Sequence, residues 1–320
     1  MSKPVLLVTR RLPENVEARA SRDYDARLNL ADTPTTPAGI LAASVGADAI
    51  LCCTSDRLDA ATVSALPASV RVISTFSVGT DHIDLAAAKA RGIPVCNTPD
   101  VLTEATAELS MLLILAAARR AGEGERIVRA DAWTGWAPTQ LMGRQVSGKR
   151  LGIFGMGRIG QALARMARGF NMQVNYRNRS RLSPELEQGA VYHDNDASFL
   201  AVCDVLALNA PGGAATMKWL NAERIAMLPK GAVVTNAARG TLVDDEALIA
   251  ALRSGQVSFA GLDVFAGEPA IHPGYRELEN AVLLPHLGSA TIETRDAMGH
   301  LALDGVDAVL AGRLPGNLVV

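Results

Sequence analysis

The chain has 320 residues, is 49% hydrophobic, and carries 31 Lys and Arg against 33 Asp and Glu, for a net charge of −2. At roughly 150 residues per domain this length predicts about two domains with real cores, and the hydrophobic share excludes a disordered chain. A near-neutral balance and 4% aromatic residues exclude a surface built for phosphate backbones or stacked bases, so no nucleic-acid partner is expected.

Met1-Ser-Lys-Pro leads into the apolar run Val5–Val8, which is too short for a signal peptide. The longest apolar stretch, Met111–Ala118, is well short of a membrane span, so a cytoplasmic protein with no membrane partner is expected. Val5–Val8, Ala49–Cys53, Val70–Ser74 and Pro94–Cys96 read as strands. Thr36–Val45, Ala60–Leu66 and Asp81–Ala90 read as helices between them. Such alternation predicts an α/β fold with parallel sheets. Cys52, Cys53, Cys96 and Cys203 show no CxxC pair and no histidine at ligand spacing, so neither a metal nor a disulfide framework is expected.

Asn97-Thr-Pro-Asp100 breaks the pattern. The helix that follows, Thr103–Arg120, is apolar nearly all round and should be buried. Gly122–Lys149 reads as irregular and holds Trp133 and Trp136. A second series starts at Arg150, with strands at Leu151–Gly155, Gln173–Arg177, Val205–Asn209, Ala232–Asn236, Phe259–Asp263 and Ala281–Leu284. That count suits a full dinucleotide fold. The helix Thr291–Ala311 comes last. Its apolar face predicts packing on the first half of the chain and a discontinuous first domain.

Gly155-x-Gly157-x-x-Gly160 lies between a strand and the amphipathic helix Arg158–Gly169, the setting of a phosphate-binding turn. Gly155 allows the turn, Gly157 the approach of a pyrophosphate, and Gly160 close helix–strand packing. The helix start offers free N–H groups and a positive dipole end. The next strand should end in a carboxylate if a ribose 2′-hydroxyl is bound. It runs instead into Arg177-Asn-Arg-Ser-Arg181, with no carboxylate before Glu185. Guanidinium groups pair with a 2′-phosphate, so NADP(H) is expected in preference to NAD(H), with Arg179 and Ser180 as first choices.

Three more strand ends carry titratable groups: Arg239 in Asn236–Asp244, Glu268 in Gly261–Pro269 and His286 in Leu284–Ala290. Ligands of open α/β sheets bind at such ends. Arg can hold a carboxylate, His can deliver a proton, and a neighbouring carboxylate favours the charged imidazole. Among the other histidines, His82 reads as structural, His193 as part of a solvated loop, His272 as motif-free, and His300 as packing or surface.

These segments, in this order, resemble the D-isomer-specific 2-hydroxyacid dehydrogenases. Ser77–Leu85 resembles the family's substrate loop, and Asn97–Pro99 with Thr103–Glu108 its interdomain segment. The resemblance implies two Rossmann-like domains: a flavodoxin-like substrate domain, 1–98 with 288–320, and an NADP-binding domain, 99–287. Hinges would lie near Asn97–Pro99 and Leu287–Ser289. It implies that Arg239 binds substrate, Glu268 tunes the histidine and His286 is the acid/base. The backbone at Val78 and Gly79 would hold the substrate carboxylate, and Asp263 would accept from the nicotinamide carboxamide. The cofactor would be lined by Thr106, Gly155, Gly157, Arg158, Ile159 and Gly160, by Arg177, Asn178, Arg179 and Ser180, and by Pro211, Thr216, Ala237, Ala238, Arg239, His286 and Gly288. Trp133–Pro138 is similar to a segment of glyoxylate/hydroxypyruvate reductases, which implies a homodimer in which Trp136 reaches the partner's active site. The expected reaction is NADPH-dependent reduction of glyoxylate or hydroxypyruvate. The alternatives are reduction of larger 2-keto acids such as 2-ketogluconate, or a cofactor-sensing binding protein on the same fold. Phosphoglycerate dehydrogenase is disfavoured, because no regulatory domain follows before Val320.

Overall fold

Strand β1 (Val5–Val8) shows how the sheets are built. Leu6 and Val8 point to one face and Leu7 to the other, and each meets a different set of helices. The computed structural model describes residues 3–320. Its remaining strands in the first half are β2 (Asp25–Arg27), β3 (Ala49–Cys52), β4 (Val72–Thr75) and β5 (Val95–Cys96). They pair in parallel in the order β2-β1-β3-β4-β5. Helices α1 (Glu14–Asp23), α2 (Pro37–Ala43), α3 (Ala60–Ala65) and α4 (Leu85–Ala90) connect them. The side chains of Thr36, Asp59 and Asp84 cap the last three by accepting from backbone N–H groups.

The second half begins with α5 (Thr103–Ala118) and α6 (Ala121–Arg129). Strands β6 (Arg150–Phe154), β7 (Gln173–Arg177), β8 (Val191–Tyr192), β9 (Val205–Leu208), β10 (Ala232–Asn236), β11 (Val257–Leu262) and β12 (Ala281–Leu283) follow. Their order is β12-β11-β10-β9-β6-β7-β8, parallel throughout, with the reversal of winding at β6/β9. Between them lie α7 (Arg158–Arg168), α8 (Pro184–Glu187), α9 (Asp196–Leu200), α10 (Ala222–Ala226) and α11 (Asp245–Ser254). One face of the sheet packs Leu151, Ile153 and Val233 against Ile114 and Leu163; the other packs Leu206, Val234 and Leu262 against Leu248 and Leu252. Gly261 is required beneath α5, because a Cβ there would lie 2.8 Å from the Leu113 carbonyl.

The final helix, α12 (Ile292–Leu310), returns to the first sheet. Ala302, Leu303 and Val306 join the core of Leu6, Val8 and Val72. The helix lies so close to α1 that a Cβ on Gly299 would come within 2.4 Å of Val16. Residues up to Leu102 thus form one compact unit with Ser289–Val320, and Thr103–Gly288 form another.

Two expectations need correction. Gly122–Lys149 is not irregular throughout: α6 begins the segment, and its glycines, poor helix formers, conceal it in sequence. The second sheet has seven strands among the described residues rather than six, because the two-residue edge strand β8 is too short to show a period. Strand β2 and helix α1 were likewise not foreseen. No helix among the described residues is long and apolar enough to cross a membrane.

Candidate active site

The glycine turn after β6 has the geometry that its spacing predicts. Gly155 adopts φ +94°, and a Cβ there would sit 2.4 Å from the backbone nitrogen of Ala210. A Cβ on Gly160 would meet the Gly155 carbonyl at 2.6 Å, whereas nothing lies within 4 Å of one on Gly157. The open position is where a phosphate group would approach the start of α7. The turn is tied to the next strand, since Asn178 Oδ1 accepts from Met156 N at 2.7 Å. At the end of β9, both amide atoms of Asn209 are buried with no partner among the described residues. An open glycine cradle and an unsatisfied buried amide beside it fit a dinucleotide.

The basic loop divides into engaged and unengaged arginines. Arg177 pairs with Asp196 at 3.3 Å and also donates to the Asn178 carbonyl. Arg181 pairs with Glu187 at 2.8 Å. Arg179 and Ser180 are exposed, and no hydrogen bond engages them among the described residues. Asp196 is the hub: its other oxygen accepts from Arg224 Nε at 2.7 Å and Trp219 Nε1 at 3.1 Å, and Trp219 stacks on Phe154 at 3.6 Å. Sequence reasoning missed Asp196, Trp219 and Arg224, which carry no motif signal.

Arg239 follows β10 in a turn held by Asn236, whose Nδ2 donates to the Arg239 carbonyl and whose Oδ1 accepts from Ala238 N. Gly240 then packs so tightly that a Cβ would lie 1.8 Å from the carbonyl carbon of Phe265. Only glycine allows this approach, which fixes the arginine turn against the Glu268 loop. Glu268 Oε1 accepts from Phe265 N at 2.7 Å, and Oε2 pairs with His286 Nδ1 at 2.8 Å. Burial pushes the Glu268 carboxyl up. The hydrogen bonds from His286 and Phe265, with the charges of His286 and Arg239, outweigh it and hold the group below its ordinary value.

His286 sits at φ +57°, an uncommon conformation for a side chain of its size. It is held there by the fully buried Asp263. His286 N donates to the Asp263 carbonyl at 2.8 Å, and the carboxylate accepts from Leu287 N at 2.6 Å and Gly288 N at 2.9 Å. Burial raises the Asp263 carboxyl above its ordinary value, against these N–H groups and the His286 charge. A cavity of about 270 Å³ adjoins the pair, lined by Phe265, Pro269, Ile271, Leu283, Glu268 and His286 among others.

The structure therefore brings Arg239, Glu268 and His286 to neighbouring strand ends, and gathers Thr106, Asp263 and Gly288 at one point: a Cβ on Gly288 would lie 3.5 Å from both Asp263 and Thr106. Thr216 Oγ1 donates to the Pro211 carbonyl at 2.8 Å, closing that loop, and Ala237 and Ala238 begin the arginine turn. Arg158 is exposed at the start of α7, while Ile159 packs partly into the core. Trp136 is 80% exposed on the arm after α6, near Trp133 at 57%. Val78 and Gly79 belong to the first unit, on the loop after β4. His193 is not simply solvated: its ring bridges Ser198 and Asn175, and burial lowers its pKa.

A doubly wound parallel sheet with a glycine turn at one strand end and an Arg–Glu–His set at three others defines a nucleotide-dependent oxidoreductase site. Residues 111–288 match the family described as D-isomer specific 2-hydroxyacid dehydrogenase, NAD binding domain. The chain is 45% identical to a glycerate dehydrogenase of Hyphomicrobium methylovorum over 98% of each protein. It is 39% identical to a glyoxylate reductase of Thermococcus litoralis, over 99% of this chain and 97% of that one. Its structure is similar to that of an NADPH-dependent glyoxylate/hydroxypyruvate reductase from Sinorhizobium meliloti in complex with NADP and malonate, with TM-score 0.89, 32% identity, and 100% and 97% of the two chains covered. The chain belongs to the D-isomer-specific 2-hydroxyacid dehydrogenase family.

Proposed function

We infer that this protein is a reductase of small 2-keto acids, glyoxylate and hydroxypyruvate foremost, that forms D-2-hydroxy acids and prefers NADPH to NADH. The observation that carries the reading is the His286–Glu268 pair at 2.8 Å, after strands β12 and β11 and beside the Arg239 turn after β10, in the same sheet as the glycine turn after β6. The activity and substrate class of the relatives named above support it. So does a β7 that ends without a carboxylate and is followed by the unengaged Arg179.

Residues 103–288 would hold the cofactor. Gly155, Gly157 and Gly160 with the start of α7 would take the pyrophosphate, Asn178, Arg179 and Ser180 the 2′-phosphate end, and Thr106, Pro211, Thr216, Ala237, Ala238 and Gly288 the rest. When bound, the reduced nicotinamide supplies the hydride to C2 of the keto acid. Arg239 would hold the substrate's carboxylate and carbonyl oxygen and stabilise the charge developing on that oxygen. His286 would give it a proton. Because Nδ1 faces the Glu268 carboxylate, it carries a proton bonded there, which leaves Nε2 as the proton donor to substrate. The first unit, with the N–H groups of Val78 and Gly79, would bind the carboxylate as well.

The test is a matrix of initial rates for glyoxylate, hydroxypyruvate, pyruvate and 2-ketogluconate, each with NADPH and NADH. Fast turnover of the first two with NADPH preferred is expected. Preference for NADH would refute the cofactor assignment, and binding of cofactor without turnover of any keto acid would refute the enzymatic one. We also infer a homodimer in which the exposed Trp136 reaches the partner's site. A monomer in sedimentation velocity at assay concentration would sink that.

A further inference from the structure

The loop after β4, Ser77-Val-Gly-Thr80, ends a hydrogen-bond chain that begins at His82. Ser77 Oγ donates to the Gly79 carbonyl at 2.6 Å, a contact in which the carbonyl can only accept. A hydroxyl has one proton, so Ser77 has none left for Thr75, 2.9 Å away. Thr75 therefore donates to Ser77. Its own proton is then used, and the 2.8 Å contact between Thr75 Oγ1 and His82 Nε2 is made by a proton on the imidazole. The direction of donation is fixed throughout, from His82 Nε2 to Thr75, to Ser77, to Gly79 O. Thr75 and Ser77 are both buried, so bulk water does not replace either link. The thiol of Cys52, 3.9 Å from the same nitrogen, is a weak competitor.

A second tie acts one peptide earlier, where Asn97 Nδ2 donates to the Val78 carbonyl at 2.8 Å. Because a peptide unit is planar and trans, holding the Val78 oxygen aims the Gly79 N–H, and holding the Gly79 oxygen aims the Thr80 N–H. The N–H groups of Val78, Gly79 and Thr80 have no acceptor among the described residues. Successive unpaired N–H groups form a cradle for an anion.

The geometry points to His82 as a positioning residue for the substrate carboxylate: through Thr75 and Ser77 it fixes the peptide that presents this cradle, without touching substrate or cofactor. The inference rests on the reading of the Val78–Gly79 loop as carboxylate-binding. It assigns His82 a function in substrate affinity, beyond the structural place its position in the loop before α4 implies.

The test is steady-state kinetics of the full-length protein with glyoxylate and hydroxypyruvate, for His82→Leu, His82→Gln, Ser77→Ala and the double variant His82→Leu/Ser77→Ala. Loss of one hydrogen-bonded tie should raise the keto-acid KM about tenfold. The KM for NADPH and kcat should stay as in the parent. Gln offers an N–H at a reach comparable to Nε2, so His82→Gln should restore most of the affinity. The double variant should be no worse than either single one, because both cut the same chain. A raised KM in Ser77→Ala with none in His82→Leu would overturn the role of His82 while leaving the loop as the carboxylate site. Unchanged KM in both would overturn the loop reading itself. Should His82→Leu fail to fold, Thr75→Val, which cuts the chain between His82 and Ser77, takes its place: a keto-acid KM raised about tenfold supports the inference, and a parental KM beside a raised one in Ser77→Ala overturns it.

Discussion

Replacing Arg179 with alanine tests the cofactor assignment most directly, because the structure separates this arginine from its neighbours. Arg177 is held by Asp196 and Arg181 by Glu187, so neither guanidinium is available without breaking an existing pair. Arg179 has no such commitment among the described residues. A hydrogen bond to a charged group contributes about 1.5–3 kcal/mol. Solvent and salt screen an exposed site, so about 1–2 kcal/mol is the appropriate figure here. At about 1.4 kcal/mol per tenfold, kcat/KM for NADPH should fall about 5- to 30-fold. The value for NADH should stay the same, since that cofactor has no 2′-phosphate to lose. The assay is kcat/KM for both cofactors at saturating glyoxylate, repeated at high ionic strength, where the difference should shrink. Arg181→Ala should leave the ratio of the two cofactors unchanged. Arg177→Ala should weaken both together, because it frees Asn178, which steadies the glycine turn. An unchanged NADPH/NADH ratio in Arg179→Ala, or a shift produced by Arg181→Ala instead, would refute the assignment.

Other outcomes follow from the acid/base pair and its supports. His286→Ala should lose about 10²- to 10⁴-fold in kcat, the usual worth of a general acid, and parental turnover would remove it from that role. The Glu268 carboxyl is depressed below its ordinary 4.5, so its contribution to stability is present above that value and lost as pH falls through the lower one in the folded protein. Glu268→Gln should therefore flatten the acid limb of stability against pH, measured by urea unfolding below pH 5 in roughly half-unit steps, and an unaltered limb would count against the pairing. Gly240→Ala forces a Cβ onto the Phe265 backbone and should cost about 1–3 kcal/mol or more of stability along with most of the activity. A variant with parental Tm and rate would show that this close approach is not needed.

The sequence made some parts of this site legible because their physics is local. Each glycine of the turn after β6 has a spacing-defined task, and the φ of Gly155 and the blocked Cβ positions at Gly155 and Gly160 match those tasks. Arg239, Glu268 and His286 could be found because a strand end in an open α/β sheet is a recognisable place. What could not be read was set by partners far along the chain. Nothing in Asp196-Ala-Ser identifies its carboxylate as the acceptor for Arg177, Arg224 and Trp219 together. Glycine in Ala-Arg-Gly could have been flagged as a close-approach position, but the surface it approaches, Phe265–Ala266, lies on another loop. Strands of two or three residues, such as β8 and β2, give no periodicity to detect.

The supports of His286 also explain why a fully buried carboxylate lies beneath an acid/base site. His286 holds a left-handed backbone conformation, which is uncommon outside glycine. Asp263 enforces it from three directions, through one carbonyl and two carboxylate contacts to successive N–H groups of the same turn. Burial makes the charged form of Asp263 costly, as its raised pKa records, and no guanidinium is hydrogen-bonded to it among the described residues. The carboxylate is therefore poorly suited to stabilising the fold for its own sake. Its placement makes sense as the means by which the imidazole is aimed, with Glu268 fixing the ring from the side and Asp263 fixing the backbone from below.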